Sequence, residues 1–368
     1  MLLEINRFIN DHSNWEDKLR LPPYCVRTKR EGPFILLKYN QFDSDFSLPL
    51  VRECRGIILN ESDSYRPVCI PFFKFGNFGE SYVPEIDWST AHVQEKLDGS
   101  LIKLWNYQGE WHISSNSEID ARNAHISSTF LPGKDRTDLY TLFMDAWGKT
   151  GVQLDTLNQN YTYMFELTSP FNRIVVKYDE TVIHHIGTRD NKTFKECNMD
   201  IGIPKPREFP LKTLEDCIES AKMLGYDEEG YVAVDRFYNR VKIKSPRYVA
   251  LNYMSQGVST WGKVVEIIQR NEQEEFLTYF PEYKDVFTNI LNRINDFAMR
   301  RDNELKGLDI SSFKSRKEMA AAVMTMKCPS CIFNLIDGKS SSAKNWLLSR
   351  PADKVLEYIG MAKNEETK

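Results

Sequence analysis

No apolar run in this 368-residue chain approaches the ~18 residues of a membrane-spanning helix, so no membrane partner is expected. The opening Met1-Leu2-Leu3-Glu4-Ile5-Asn6 turns polar too early for a signal peptide. Seven cysteines, at positions 25, 54, 69, 197, 217, 328 and 331, are odd in number and too scattered for a disulfide framework, which points to a reducing compartment such as the cytoplasm. Only Cys328-Pro329-Ser330-Cys331 has metal-pair spacing, and no second pair or nearby histidine supplies the other two ligands of tetrahedral zinc. The six histidines include no His-Glu-x-x-His, and a Gly-x-Ser-x-Gly elbow is missing, so zinc-peptidase and serine-hydrolase chemistry recede. An excess of positive charge is lacking too. Lys and Arg number 48 against 52 Asp and Glu, a net charge of −4, so a polyanion has to be bound locally.

What is present is a globular composition, 41% hydrophobic and 27% charged, at a length that suits two unequal domains. From about residue 34 to 245 short β-type runs dominate, among them Phe34-Ile35-Leu36-Leu37, Gly56-Ile57-Ile58-Leu59, Ile174-Val175-Val176 and Tyr231-Val232-Ala233-Val234. Helical spacing interrupts them near Thr137–Trp147 and Thr213–Leu224. After Lys244-Ser245-Pro246 the texture changes. Val286, Phe287, Ile290, Leu291, Ile294, Phe297 and Ala298 recur at helical spacing, and further helices are expected around Lys263–Tyr279, Ser315–Met326 and Ala352–Ala362. The reading is an α+β chain: residues 1–252 with mixed, mainly antiparallel sheets, then an all-α domain over 253–368 ending in a frayed tail from Lys363.

The chemistry concentrates in Glu95-Lys96-Leu97-Asp98-Gly99-Ser100, which lies between two β-type runs. Such a lysine is rigidly presented, the glycine lets backbone approach a phosphate or base closely, and the aspartate can hold the turn. Asp-Gly is also an ordinary hairpin signal. Downstream, Phe165-Glu166 closes a strand-like run, Glu229-Gly230 opens another, and Val241-Lys242-Ile243-Lys244 puts two lysines on one face of a strand. Upstream stand Arg52-Glu53-Cys54-Arg55-Gly56 and Phe73-Lys74-Phe75-Gly76-Asn77. Charges at strand positions are costly to bury unpaired, and a site for polyphosphate and metal accounts for them.

From about Tyr39 to Tyr248 these residues resemble the covalent nucleotidyltransferases, and within them the RNA ligases of the bacteriophage T4 RNA ligase 1 type. Lys96-Leu97-Asp98-Gly99-Ser100 is similar to that family's motif I, Phe165-Glu166 to motif III, Glu229-Gly230-Tyr231-Val232 to motif IV and Val241-Lys242-Ile243-Lys244 to motif V. Glu53-Cys54-Arg55-Gly56 and Ser169-Pro170-Phe171-Asn172-Arg173-Ile174-Val175 look like the phage group in particular. DNA ligases and capping guanylyltransferases, the alternatives in the superfamily, usually carry arginine where this chain has Leu101, and follow motif V with a β-barrel. Phage relatives tend to have lysine where this chain reads Ile113-Ser114-Ser115-Asn116-Ser117, so a phosphate contact is missing or relocated.

The resemblance implies the adenylation fold of ligases (ATP-grasp-like) and an ATP-dependent enzyme joining RNA 5′-phosphate and 3′-hydroxyl ends. Lys96 attacks ATP and holds AMP as a phosphoramidate, the AMP moves to the RNA 5′-phosphate, and the 3′-hydroxyl displaces it. Lys242 and Lys244 are the catalytic partners, expected to depress the Lys96 pKa and neutralise the α-phosphate. Arg55 and Lys74 are assigned to the β and γ phosphates, Glu166 and Glu229 to ribose or Mg²⁺, and Glu95 and Tyr39 to the nucleotide pocket, with Phe75 and Asn77 as weaker wall residues. His184 and His185 either border the adenine or are plain strand residues. The implied setting is a monomer acting in RNA repair, in the host cytoplasm if phage-encoded. A structured RNA such as a nicked tRNA anticodon loop suits the helical domain, whose 17 Lys and Arg against 16 Asp and Glu make it no general RNA clamp. A non-catalytic RNA-binding module is the alternative, since Arg236, Arg240, Lys242, Lys244 and Arg247 form a basic stretch.

Overall fold

A computed structural model describes residues 3–126, 137–172, 175–225, 227–254, 260–279 and 281–361. Arg173, Ile174, part of the 250–257 boundary, Ala362 and the tail from Lys363 lie outside the described residues. The contacts separate the chain into two units, Met1–Asn252 and Tyr253–Lys368.

The first unit is built on three antiparallel sheets. One runs β1 (Val26–Glu31), β2 (Phe34–Tyr39), β3 (Arg55–Asn60) and β4 (Arg66–Cys69) in that order. The unbroken Phe34-Ile35-Leu36-Leu37 run reflects burial on both faces. Ile35 and Leu37 pack with α1 (Glu4–Asp11), α2 (Trp15–Arg20) and α3 (Pro49–Glu53), while Phe34 and Leu36 pack against Trp105.

The second sheet places β5 (His92–Glu95) between β13 (Glu208–Phe209) and β14 (Gly230–Val234), with β15 (Arg240–Lys244) at its edge. The third has the order β12 (Glu196–Cys197), β11 (Val182–Asp190), β10 (Tyr161–Thr168), β6 (Ser100–Tyr107), β7 (Glu110–Ser115). A two-residue ladder joins β8 (His125–Ile126) to β9 (Thr137–Asp138). α4 (Leu139–Thr150) covers one face of the third sheet through Phe143 and Trp147. α5 (Leu214–Met223), opened by a Thr213/Asp216 capping box, covers one face of the second through Cys217 and Ala221. The opposite faces mix apolar residues, such as Leu101, Met164 and Trp105, with charged ones, and alternation decides which side chains fall there. Val241 and Ile243 point to α5, so Lys242 and Lys244 point away; Phe165 and Leu167 point to α4, so Glu166 points away.

Two expectations fail here. Val175 and Val176 form no strand, because their N–H groups go to a carboxylate rather than a ladder, Asp98 Oδ2 at 2.9 and 2.8 Å. Glu166 does not close its strand, since β10 continues to Thr168.

α6 (Pro246–Met254) ends the sheet-rich part, and the second unit holds α7 (Thr260–Gln269), α8 (Gln273–Tyr279), α9 (Lys284–Lys306), α10 (Arg316–Met324), α11 (Pro329–Ile336), α12 (Ala343–Leu348) and α13 (Ala352–Tyr358). The single helix expected over Lys263–Tyr279 is two, broken where Asn271 takes a left-handed φ of +53°. No helix among the described residues is long and apolar enough to cross a membrane.

Candidate active site

Lys96 does not sit in a hairpin. β5 and β6 belong to different sheets, so residues 96–99 are a crossing between them, and residues from the faces turned away from α4 and α5 meet beside this crossing. A cavity of about 250 Å³ lies there. The second sheet contributes Gln94, Glu95, Val232, Arg240 and Lys242, the third Leu101, Glu166 and Ile186, and Arg55, Phe75, Lys96 and Asn116 also line it.

Backbone geometry holds the crossing rigidly. The Lys96 N–H donates to Gly230 O at 2.9 Å, tying the segment to β14. The Gly99 N–H donates to Glu166 Oε1 at 3.2 Å, tying it to β10. A Cβ on Gly99 would lie 2.4 Å from Leu167 O, so the neighbouring strand requires glycine here. Asp98 is 2% exposed. Besides the two amides of residues 175 and 176, it accepts the Tyr248 hydroxyl at 2.9 Å, and its own N–H donates to the Tyr178 hydroxyl at 3.0 Å. Asn172 Nδ2 donates to Ser100 Oγ at 2.9 Å, so the segment after Glu166 folds back to brace the one after Lys96.

The ionic arrangement centres on Lys96 Nζ, 2.6 Å from Glu229 Oε2. Glu166 is pushed up to about 7, mainly by burial, with Glu229 adding to the rise and Lys96 and Arg55 opposing it. Lys242 is held well below the ordinary lysine value, first by burial and then by Lys74, Arg55, Lys96 and Lys244. Cationic crowding falls on Lys242, and Lys96 rests against a carboxylate. Burial pushes Glu95 above the usual carboxylate range, against the Arg207 guanidinium 3.9 Å away. The Phe75 ring lies under three cations, 4.9 Å from Lys242 Nζ and 5.3 and 5.9 Å from the Arg55 and Arg240 guanidiniums.

Of the residues singled out from sequence, Arg55, Glu95, Lys96, Glu166 and Lys242 share this cavity wall, and Glu229 joins through Lys96. Lys244 pairs with Gly230 across the ladder and acts on Lys242 without lining the cavity. Lys74 and Tyr39 are not on the wall. Lys74 Nζ lies 4.5, 5.5 and 6.0 Å from the Phe46, Tyr39 and Tyr82 rings. His185 is buried and hydrogen-bonded to Gly187 O and Thr188 Oγ1, an ordinary strand role. Glu53 carries a structural duty: its carboxyl accepts the Glu4 and Ile5 N–H groups at the start of α1, and burial pushes it up to about 7.

Sequence reasoning missed Asn116, whose buried Oδ1 at the cavity wall has no partner among the described residues, and Lys103. Lys103 is fully buried, stands opposite Ser114 in the β6–β7 ladder and donates to Gly56 O beside Arg55. Its ammonium is spent on that carbonyl and it does not line the cavity, so it is a structural cation behind the Arg55 wall. The period-2 pattern held the only signal, since Lys103 falls on the face opposite Ile102 and Leu104.

The family model described as RNA ligase matches residues 53–248. A putative bifunctional polynucleotide kinase/RNA ligase of Autographa californica nuclear polyhedrosis virus is 32% identical over 293 residues, 74% of this chain and 41% of that protein. An RNA ligase of Rhodothermus phage RM378 is 26% identical over 408 residues, covering 90% of this chain and 92% of its own. The chain thus spans less than half of the viral protein it matches. Among solved structures, an archaeal ATP-dependent RNA ligase overlaps 80% of this chain and 82% of its own at a TM-score of 0.47 and 14% identity.

Proposed function

The chain belongs to the RNA ligase family, and from that membership we propose that it seals RNA 5′-phosphate and 3′-hydroxyl ends with ATP, through AMP carried on Lys96. The observation that carries the reading is the Lys96 amine, held against Glu229 at the seam of two sheets with Lys242, Arg55 and Arg240 around the same cavity. In this reading the Lys96 ammonium, paired with Glu229 at rest, gives up a proton to solvent, its nitrogen forms a bond to the α-phosphorus of ATP as the bond to pyrophosphate breaks, and the second proton leaves the nitrogen as the phosphoramidate forms, Glu229 orienting the nitrogen throughout. Lys242, desolvated and crowded by cations, faces the α-phosphate and neutralises charge that develops there. Arg55 reaches the outer phosphates, and Phe75 offers a ring face to a base.

A divalent cation, Mg²⁺ in this proposal, suits Glu166, whose buried carboxyl is held partly neutral until a cation arrives, and Glu229. Among the described residues no cluster of three or more acidic, histidine or cysteine side chains could hold a metal alone, so phosphate oxygens and water complete its shell. Bound there, the metal supplies charge neutralisation at the leaving pyrophosphate. The helical second unit is assigned to recognition of a structured RNA such as a broken anticodon loop.

Intact mass with ATP and Mg²⁺ tests the reading. An AMP adduct that pyrophosphate reverses, and that Lys96→Ala lacks, is the expected result. An adduct persisting in Lys96→Ala, or none in the unsubstituted protein, overturns it.

A further inference from the structure

Arg240 and Phe75 line the Lys96 cavity on one side and a second, larger cavity of about 670 Å³ on the other. The wall of the second carries Arg52, Lys74, Lys195 and Arg236, with Phe194 and Phe237 between them. Glu196 is the only carboxylate among its described lining residues, and its charge is already engaged. Its two oxygens lie 2.5 Å from Arg189 and 2.6 Å from Arg240, with all three side chains more than nine-tenths buried. Lys74 faces aromatic rings, and Arg236 stands 3.5 Å from Asp87 with its side chain 62% exposed. A chain of net charge −4 thus concentrates positive charge on one wall.

Backbone strain marks the same place. Phe194 and Tyr238 line this cavity with φ of +63° and +62°, a region bulky residues avoid and one that clusters at ligand clamps. Between Arg236 and Tyr238, Phe237 leaves 63% of its surface exposed. Cations interleaved with presented rings are what single-stranded nucleic acid requires, phosphates going to the cations and bases to the rings.

We propose that this second cavity holds the 5′-phosphorylated end of a single RNA strand and leads its terminal phosphate past Arg240 and Phe75 to the adenylate on Lys96. The inference rests on the function proposed above. The cations select the 5′ end over the 3′ end because a terminal phosphate monoester carries about −1.5 to −2 charges at neutral pH, whereas a 3′-hydroxyl adds none.

The test uses the full chain with Phe237→Ala and Lys195→Ala, both at exposed positions. Fluorescence anisotropy reads binding of a short 5′-phosphorylated oligoribonucleotide and its 5′-hydroxyl counterpart over a salt series. The purified enzyme adenylate, mixed with the phosphorylated strand, then reads AMP transfer. The unsubstituted protein is expected to prefer the phosphorylated strand. Phe237→Ala should weaken binding roughly 5-fold or more, with Phe237→Trp restoring it. Lys195→Ala should lower the salt slope by about 0.7. Transfer should slow in step with binding while labelling by ATP alone is unchanged. Variants that bind RNA and transfer AMP like the parent overturn the proposal. A defect confined to sealing pre-adenylated RNA to a 3′-hydroxyl overturns it as well, by assigning the cavity to the other strand. If the parent takes no AMP from ATP while RNA binding still depends on Phe237, the ligase reading fails and the strand site stands by itself.

Discussion

Replacing Glu166 by glutamine should make the protein more stable at alkaline pH and leave it nearly unchanged at acid pH. Glutamine keeps the volume and the oxygen that accepts the Gly99 N–H, so the substitution removes little but the ionisation. In the fold the carboxyl titrates at about 7 against an ordinary 4.5, chiefly because it is buried. A raised folded value means that the proton-bound form stabilises the fold. That contribution is complete below pH 4.5 and is lost as pH rises through 7. At ~1.36 kcal/mol per pH unit of separation, the loss amounts to about 3 kcal/mol. Glutamine does not titrate, so the stability of Glu166→Gln relative to the parent should climb by that amount between pH 4.5 and 8.5. Glu53 titrates at about 7 in both proteins and cancels in the difference. Urea unfolding at several pH values, read by tryptophan emission, measures it, because Trp105 is fully buried one sheet position from β10. A difference that stays flat with pH refutes the argument, since it would mean that neighbouring cations already cancel the burial.

Glu196→Gln should be costly: it leaves the buried Arg189 and Arg240 guanidiniums without their shared carboxylate, a loss of about 3–5 kcal/mol that calorimetry would read as a fall of roughly 6–20 °C in Tm. An unchanged Tm would mean the two arginines find other partners. Gly99→Ala should lower the urea midpoint by an amount equivalent to about 1–3 kcal/mol, because its Cβ meets the Leu167 carbonyl, and AMP labelling should fall with it as the Gly99 N–H leaves Glu166. Full stability with lost labelling would place the glycine's role at the nucleotide instead.

Local patterning announced much of the architecture. Phe34-Ile35-Leu36-Leu37 and Tyr231-Val232-Ala233-Val234 read as strands because β-branched and aromatic runs bounded by turn residues have few other uses. The 3.6-residue recurrence from Val286 to Ala298 read as a helix because one apolar stripe has to be buried, and it lies within α9. Period-2 alternation placed Lys242 and Lys244 on one strand face before any partner was known. Where the pattern erred, as at Val175-Val176 and Asn271, a single distant or local backbone preference outweighed composition.

By itself, then, the sequence determined element types, side-chain faces and membership in a family, all of which depend on residues near one another in the chain or on motif spelling. Only the tertiary structure decided that the Lys96 segment joins two sheets instead of turning within one. Sheet membership is set by pairing with residues more than a hundred positions away, such as Val232 with Gln94. It likewise decided that Lys96 pairs with Glu229, that Lys74 leaves the nucleotide wall for an aromatic cage, and that Lys103 is buried beside Arg55. Burial and charge coupling depend on distances that no local pattern encodes, and they alone depress Lys242 and set Lys96 against Glu229.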